Sequence, residues 1–166
     1  MENKTFVEKL NELIEKKDVV GVRQHIEDMH AADVATILEE EPAEEAAMFF
    51  RFMTKDKAAH VFSYLSVPRA LDLVALFTTS QTASIFDGLY VDDAVDLLEE
   101  MPANAVRAVL QTATPQKREQ LNRFLKYSDQ SAGSVMSAEF IQIYPLMTVR
   151  EAIDKIRHEK RLMDSF

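Results

Sequence analysis

Six carboxylates, Asp87, Asp92, Asp93, Asp96, Glu99 and Glu100, crowd a stretch with no Lys or Arg between Arg69 and Arg107. On a helix, Asp92 and Asp96 are four apart and share a face, where like charges repel by roughly 0.2–0.5 kcal/mol. A hard divalent cation reverses that sign. Mg²⁺ takes oxygen ligands, keeps several waters and typically uses one or two protein carboxylates. The same acids serve equally well as helix-start chemistry, with Asp92 or Asp93 as a cap and its neighbours facing the positive end of the helix. Spacing alone does not separate the two readings, because Mg²⁺ sites carry no stringent spacing rule.

Little else in the chain could do chemistry. His25, His30, His60 and His158 stand on separate segments, and no serine sits in a nucleophile elbow. Gly21, Gly88 and Gly133 are isolated, so no phosphate-cradling loop exists. Zero cysteine removes disulfides, thiol catalysis and sulfur-based zinc sites, and fits a reducing compartment. The inventory points away from an enzyme.

Charge narrows the partners. The net charge is −9 over 166 residues, and residues 131–166 hold five acids and five bases, so residues 1–130 carry the whole excess. Such a surface repels phosphate backbones and anionic lipid, which excludes nucleic acid and favours cations or a basic partner. No apolar run approaches the ~20 residues that span a bilayer, so this piece does not insert into a membrane. The start, Met1 to Lys17, alternates charge and does not resemble a signal peptide.

These residues must be positioned by helices. With 47% apolar residues, 3 Gly and 5 Pro, the chain has a core to bury and few breakers. Apolar residues recur at helical spacing from Thr5 to Tyr127: Phe6, Leu10 and Leu13; Val22, Ile26 and Met29; and onward to Leu121, Phe124 and Leu125. Asp18, Asp33, Ser80 and Thr114 are expected caps, and Pro42, Pro68, Pro102 and Pro115 suit first turns. The pattern predicts an all-α fold of about ten short helices. The segment D-V-A-T-I-L-E-E-E-P-A from Asp33 aligns with D-A-V-D-L-L-E-E-M-P-A from Asp93 at an offset of 60. Repeated helices that cannot each bury a face alone stack into a solenoid, a right- or left-curling superhelix.

After Tyr127 the polar stretch from Ser128 to Ser134 marks a boundary. Phe140 to Tyr144 is expected as a short strand. Thr148-Val149-Arg150-Glu151 is a capping box that opens an amphipathic helix. One strand and one helix cannot bury a core of their own, so residues 131–166 read as the start of a second domain that is cut off. Phe140, Ile143 and Ile153 are expected to lack their usual packing.

Three phrases in this order, V-D-D-A-V-D-L-L-E-E-M-P at 91–102, Y-S-D-Q-S-A-G-S-V-M at 127–136 and M-T-V-R-E-A-I-D-K-I-R at 147–157, resemble the MgtE family of magnesium transporters. The resemblance implies that residues 1–130 form the family's N-terminal superhelix. Residues 131–166 would then be the opening strand and helix of the first CBS motif, ahead of a transmembrane channel in a homodimeric protein. It implies a cytoplasmic Mg²⁺ sensor, in which ions between superhelix and CBS motifs hold a compact state that closes the pore. Carried over by position, Asp92 and Asp96 match acids that face those ions. Asp93 between them falls on another side of the helix and is the lesser candidate. Ser134 matches a small residue whose backbone carbonyl contributes. The position of His60 is often acidic in relatives, and a neutral imidazole is a poor ligand for a hard cation. The remaining ligands belong to CBS residues absent from this chain, so its own Mg²⁺ affinity is expected to be weak. The alternative is a helical-repeat scaffold for a protein partner, similar to the armadillo-type helical domains of flagellar motor proteins.

Overall fold

A computed structural model describes residues 2–128 and 130–158, with side chains from Phe6 onward; Asp129 of the link phrase and the last eight positions of the expected second domain lie outside the described residues. Ten helices run from the start to Phe124. They are α1 (Glu2–Glu15), α2 (Val19–Glu27), α3 (Ala31–Glu40), α4 (Ala43–Phe50), α5 (Lys55–Ser63), α6 (Val67–Leu76), α7 (Thr79–Gly88), α8 (Val91–Glu100), α9 (Ala103–Thr112) and α10 (Pro115–Phe124). A short 3₁₀ turn, Ala132–Ser134, and α11 (Val149–His158) complete the described chain.

Helices of about ten residues are too short to stand alone in water, so packing must hold them. From α3 onward each helix packs chiefly on the second one along, α3 on α5, α5 on α7, α7 on α9, and likewise α4 on α6 and α8 on α10. The result is a two-layered solenoid. Its centre holds Val22, Ile26, Ile37, Leu38, Phe49, Phe62, Leu73, Phe86, Leu98 and Leu121, all at 2% exposure or less. Phe62 lies 6.0 to 6.2 Å from the rings of Phe50, Phe77 and Phe86, which ties four successive helices together. The apolar faces are buried as expected in most helices, but α11 leaves Val149, Ile153 and Ile156 exposed. In α6 the most buried residues are Arg69, Ala70 and Leu73, while Leu71 and Val74 are half-buried.

The offset of 60 is visible in the backbone. Helices α2 to α5 begin at 19, 31, 43 and 55, and α7 to α10 begin at 79, 91, 103 and 115. A recurring clasp links these helices. An acid at the end of one helix accepts from the N-cap residue 27 positions later: Glu27 from the Thr54 hydroxyl at 2.8 Å, Glu39 from the Ser66 amide at 2.5 Å and Asp87 from the Thr114 amide at 3.2 Å. Three residues after each cap a base reaches back to the carbonyls that close the earlier helix. Lys57 donates to Met29, Arg69 to Leu38 (2.9 Å from Nε) and Glu41, and Lys117 to Leu89. Helix C-termini leave carbonyls unsatisfied and carry partial negative charge, so a cation there answers both needs.

Capping differs in detail from the sequence reading. Asp18 and Thr114 cap as expected, accepting from the amides of Gly21 (2.9 Å) and Lys117 (3.4 Å). Asp33 and Ser80 lie inside the first turns of α3 and α7, whose N-caps are His30 and Thr78. Thr78 takes the cap because Gln81 reciprocates, its side-chain oxygen accepting from the Thr78 amide at 3.0 Å. Pro42 and Pro102 are themselves N-cap residues of α4 and α9.

The expected strand is absent. Among the described residues there is no strand, and residues 135–148 carry no helix. A strand exists by pairing its backbone with a neighbour, and this piece of chain provides none. Phe140 is 70% exposed and Leu146 97%. The capping box of α11 does form, with Thr148 and Glu151 exchanging bonds of 2.8 and 3.3 Å.

Arg69 offers a direct test of the clasp. Replacing it by Met keeps the apolar stem but leaves the Leu38 and Glu41 carbonyls without a donor, at a cost of about 1–3 kcal/mol. A urea unfolding midpoint lowered to match is the expected result; an unchanged midpoint would show that the clasp contributes nothing.

Candidate functional site

The N-terminus of α8 has no such clasp, as is also true of α4, α7 and α9. By the 27-residue spacing its acid would be at Ser63 and its cap at Tyr90, which makes no side-chain capping bond. The base three residues after the cap is replaced by Asp93. In the other three clasps that seat holds Lys or Arg, and here Asp93 shares a small pocket of about 120 Å³ with Ser63 and Leu65 at the end of α5. A carboxylate there meets the negative end of a helix, which is unfavourable without a positive neighbour.

The missing cap comes from the link. Glu139 accepts from the Val91 amide at 3.0 Å through Oε1, and Ser137 donates to Asp92 Oδ2 at 2.9 Å. Ala138 between them packs on the core cluster. The link itself is seated by Gly133. A Cβ at that position would lie 2.4 Å from Cδ1 of Tyr127, whose ring meets Phe124 edge-on at 5.6 Å. Only glycine lets the backbone lie that close to the ring.

Asp92, Asp93, Glu139, Ser137, His60 and Lys57 line one open cleft of about 790 Å³, which the N-termini of α3 and α8 also border. Those two helix ends lend it some positive character. The carboxylates remain under-neutralised. Burial pushes the Asp93 carboxyl above its ordinary value, and the charges of Asp92, Asp96 and Glu139 add to that, against a smaller pull from Lys117. Burial also pushes Glu139 up, opposed by its bond from Val91 and by Lys117. Lys117 is itself pushed down, chiefly by burial, with its ammonium occupied at the Leu89 carbonyl. Lys57 and Lys117 both hold their ammonium groups on backbone carbonyls, and among the described residues neither makes an ion pair with a cleft carboxylate.

The sequence-predicted residues therefore separate. Asp92 is in the cleft, half-buried, and Asp93 is beside it, contrary to the expectation that it turns elsewhere. Asp96 is exposed and faces the smaller pocket with Asp93, one turn further along α8. Ser134 lines neither pocket; its hydroxyl donates to the Ser131 carbonyl at 2.8 Å. Glu139, Ser137 and Lys117 were not singled out from sequence. Lys117 was findable, since Thr54/Lys57 and Thr114/Lys117 stand 60 apart. For Glu139 no local signal exists, because its role depends on a helix 48 residues earlier.

The donor set suits a hard, partly hydrated divalent cation. Asp92 Oδ1 and Glu139 Oε2 are buried without a hydrogen-bond partner among the described residues, and carboxylate oxygen is the ligand type such ions prefer. It does not form a complete cage. Among the described residues no three His, Asp or Glu side chains converge closely enough to hold an ion by themselves. Water or further chain must complete the coordination.

Comparison with known proteins agrees with this architecture. Residues 29–130 match the MgtE intracellular N domain. The chain belongs to that family. It is 27% identical over 161 residues to the magnesium transporter MgtE of Thermus thermophilus, covering 95% of this chain and 35% of that protein. The MgtE-family chain thus spans about a third of its relative. Its fold matches a crystal structure described as the soluble part of a magnesium transporter, with a TM-score of 0.88 at 19% identity, over 98% of this chain and 64% of that one. It also matches the cytosolic domain of the Mg²⁺ channel MgtE in complex with ATP, with a TM-score of 0.77 at 24% identity, over 95% and 64%. No described helix is long and apolar enough to cross a membrane.

Two outcomes follow for the isolated chain. For an acid whose folded pKa is raised, the penalty is absent below the unfolded value and grows as pH rises through the folded one. Asp93→Asn should therefore raise Tm at pH 7, with the gain shrinking as pH falls toward the ordinary carboxylate range; a pH-independent change would contradict the burial argument. Gly133→Ala should cost about 1–3 kcal/mol by forcing the Tyr127 ring aside, read as a lower Tm and altered Tyr127 ring resonances.

Proposed function

We propose that this chain is the ion-sensing cytosolic part of a magnesium channel or transporter, and that Mg²⁺ at the α8 cleft favours a compact state in which the pore is shut. The observation that carries the reading is the under-neutralised cleft of Asp92, Asp93 and Glu139, placed where the clasps elsewhere hold a Lys or Arg. A divalent cation supplies the charge that this repeat lacks. Asp92 is the principal candidate ligand. Asp93 and Glu139 stand beside it, and Asp96 with Asp93 suits a second ion on the neighbouring side of the helix. A carbonyl ligand at Ser134 rests on the family resemblance alone.

Residues 1–130 are then the sensing superhelix, and residues 131–166 begin a CBS motif whose remainder supplies the missing ligands. The exposed Phe140, Ile143, Val149 and Ile153 are the surface that such a continuation would cover. Without ions, acidic faces of superhelix and CBS region repel and separate. With ions, the compact state gains about 1.4 kcal/mol per site at tenfold excess over the dissociation constant, so several sites together shift a gate. The working protein is taken to be a homodimer, with this part on the cytoplasmic side of the membrane.

In the full-length protein, changing Asp92 and Asp96 to Ala should loosen the closed state, so that the pore conducts at Mg²⁺ levels that normally shut it. Equal protease protection of wild-type and double-mutant cytosolic regions across a Mg²⁺ titration would remove these acids from sensing. In the 166-residue chain, millimolar Mg²⁺ should shift the amide resonances of residues 91–96 and 137–139, and K⁺ at equal ionic strength should not. Because Asp93 and Glu139 hold protons to higher pH than ordinary carboxylates, that Mg²⁺ response should weaken on acidification before ordinary carboxylates titrate.

A further inference from the structure

The link between superhelix and second domain does more than connect. Three helices, α5, α6 and α10, have an N-cap residue held by an acid from a helix of the superhelix itself. Helix α8 has no such acid, because Ser63 stands where Glu27, Glu39 and Asp87 stand for the others. Its own N-cap residue, Tyr90, makes no side-chain capping bond either. The first amide of α8 is instead satisfied by Glu139, 48 residues further on, and the next residue, Asp92, is held by Ser137. In sequence the strap follows α9 and α10, and it reaches back to α8.

We propose that residues 137–139 form a strap that caps α8 in place of the missing superhelix acid, with Glu139 as the positioning residue that sets where Asp92 and Asp93 stand in the cleft. The order of the link and the position of the cleft acids then become one variable. When the strap is seated, Asp92 is fixed by Ser137 and the first turn of α8 is pinned; when it lifts, both acids are freed together. This holds whether or not the cleft takes an ion, since every contact involved is made by the chain itself.

The test uses the 166-residue protein in metal-free solution, so that its outcome is separate from that of the Mg²⁺ reading. Amide hydrogen exchange is followed by NMR for wild type, Glu139→Ala and Glu139→Gln, together with the rate of proteinase K cleavage within residues 135–146. Losing a cap of about 1 kcal/mol corresponds to about a fivefold change. In Glu139→Ala, Val91 exchange and link cleavage should both accelerate by about that factor, and the amide resonances of Asp92 and Asp93 should move. Amides of α3 and α5 should exchange as in wild type, which shows that the fold persists. Glu139→Gln keeps an oxygen that accepts the Val91 N–H and should restore most of the protection. Unchanged Val91 exchange in Glu139→Ala would overturn the proposal, as would a Gln variant that behaves like Ala.

Discussion

A helix of ten residues leaves about eight backbone groups unpaired at its ends against about six internal bonds, and this chain is built almost wholly of such helices. How those ends are satisfied decides everything else. Interdigitating apolar side chains set part of the register between helices. Three clasps add to it, because a carboxylate, a cap hydroxyl and a base must meet across a fixed interval of sequence. Arg69 and Lys117 are accordingly buried and Lys57 half-buried, all with carbonyl oxygens as partners, and Lys117 is only 7% exposed. They owe their position to the helix termini and form no ion pairs within 4 Å among the described residues.

The cleft is a variation on the same theme. Two helix N-termini and the carboxylates of Asp92, Asp93 and Glu139 share a space in which neither Lys57 nor Lys117 pairs with them among the described residues. Proton uptake, cation binding and separation of the acids are the available ways to relieve that charge, and each has a different dependence on solution conditions. A site with that choice is responsive by construction, whereas the neighbouring clasps, filled by covalently attached cations, are not.

Much of the helical array was legible in the sequence, since helical periodicity and proline-marked starts report directly on local structure. The 60-residue repeat was legible for the same reason. Cap identity was less so: Asp33 and Ser80 have the right chemistry, but Thr78 wins through a reciprocal partner at Gln81 that a list of capping types does not weigh. The strand at 140–144 could not form from this piece of chain, because pairing is a property of two segments. In the cleft, acid type and helix were readable, but the side chains that face inward were not. Four-residue spacing pairs Asp92 with Asp96 on an isolated helix. Packing against α5 and the link instead turns Asp92 and Asp93 together, because the end of α5 and the Glu139 bond fix which part of the first turn is enclosed.

Linear arrays of stacked helices ordinarily fray from both ends, since the terminal unit has a neighbour on one side only. The bond from Glu139 to Val91 changes that symmetry. It ties the link back to α8 across the 48 residues that carry α9 and α10, so the carboxyl-terminal end is anchored two helices inward. Among the described residues the amino-terminal end has no such closure; α1 is held chiefly by α2. Fraying is thereby biased toward α1, away from the bond that ties the link to α8.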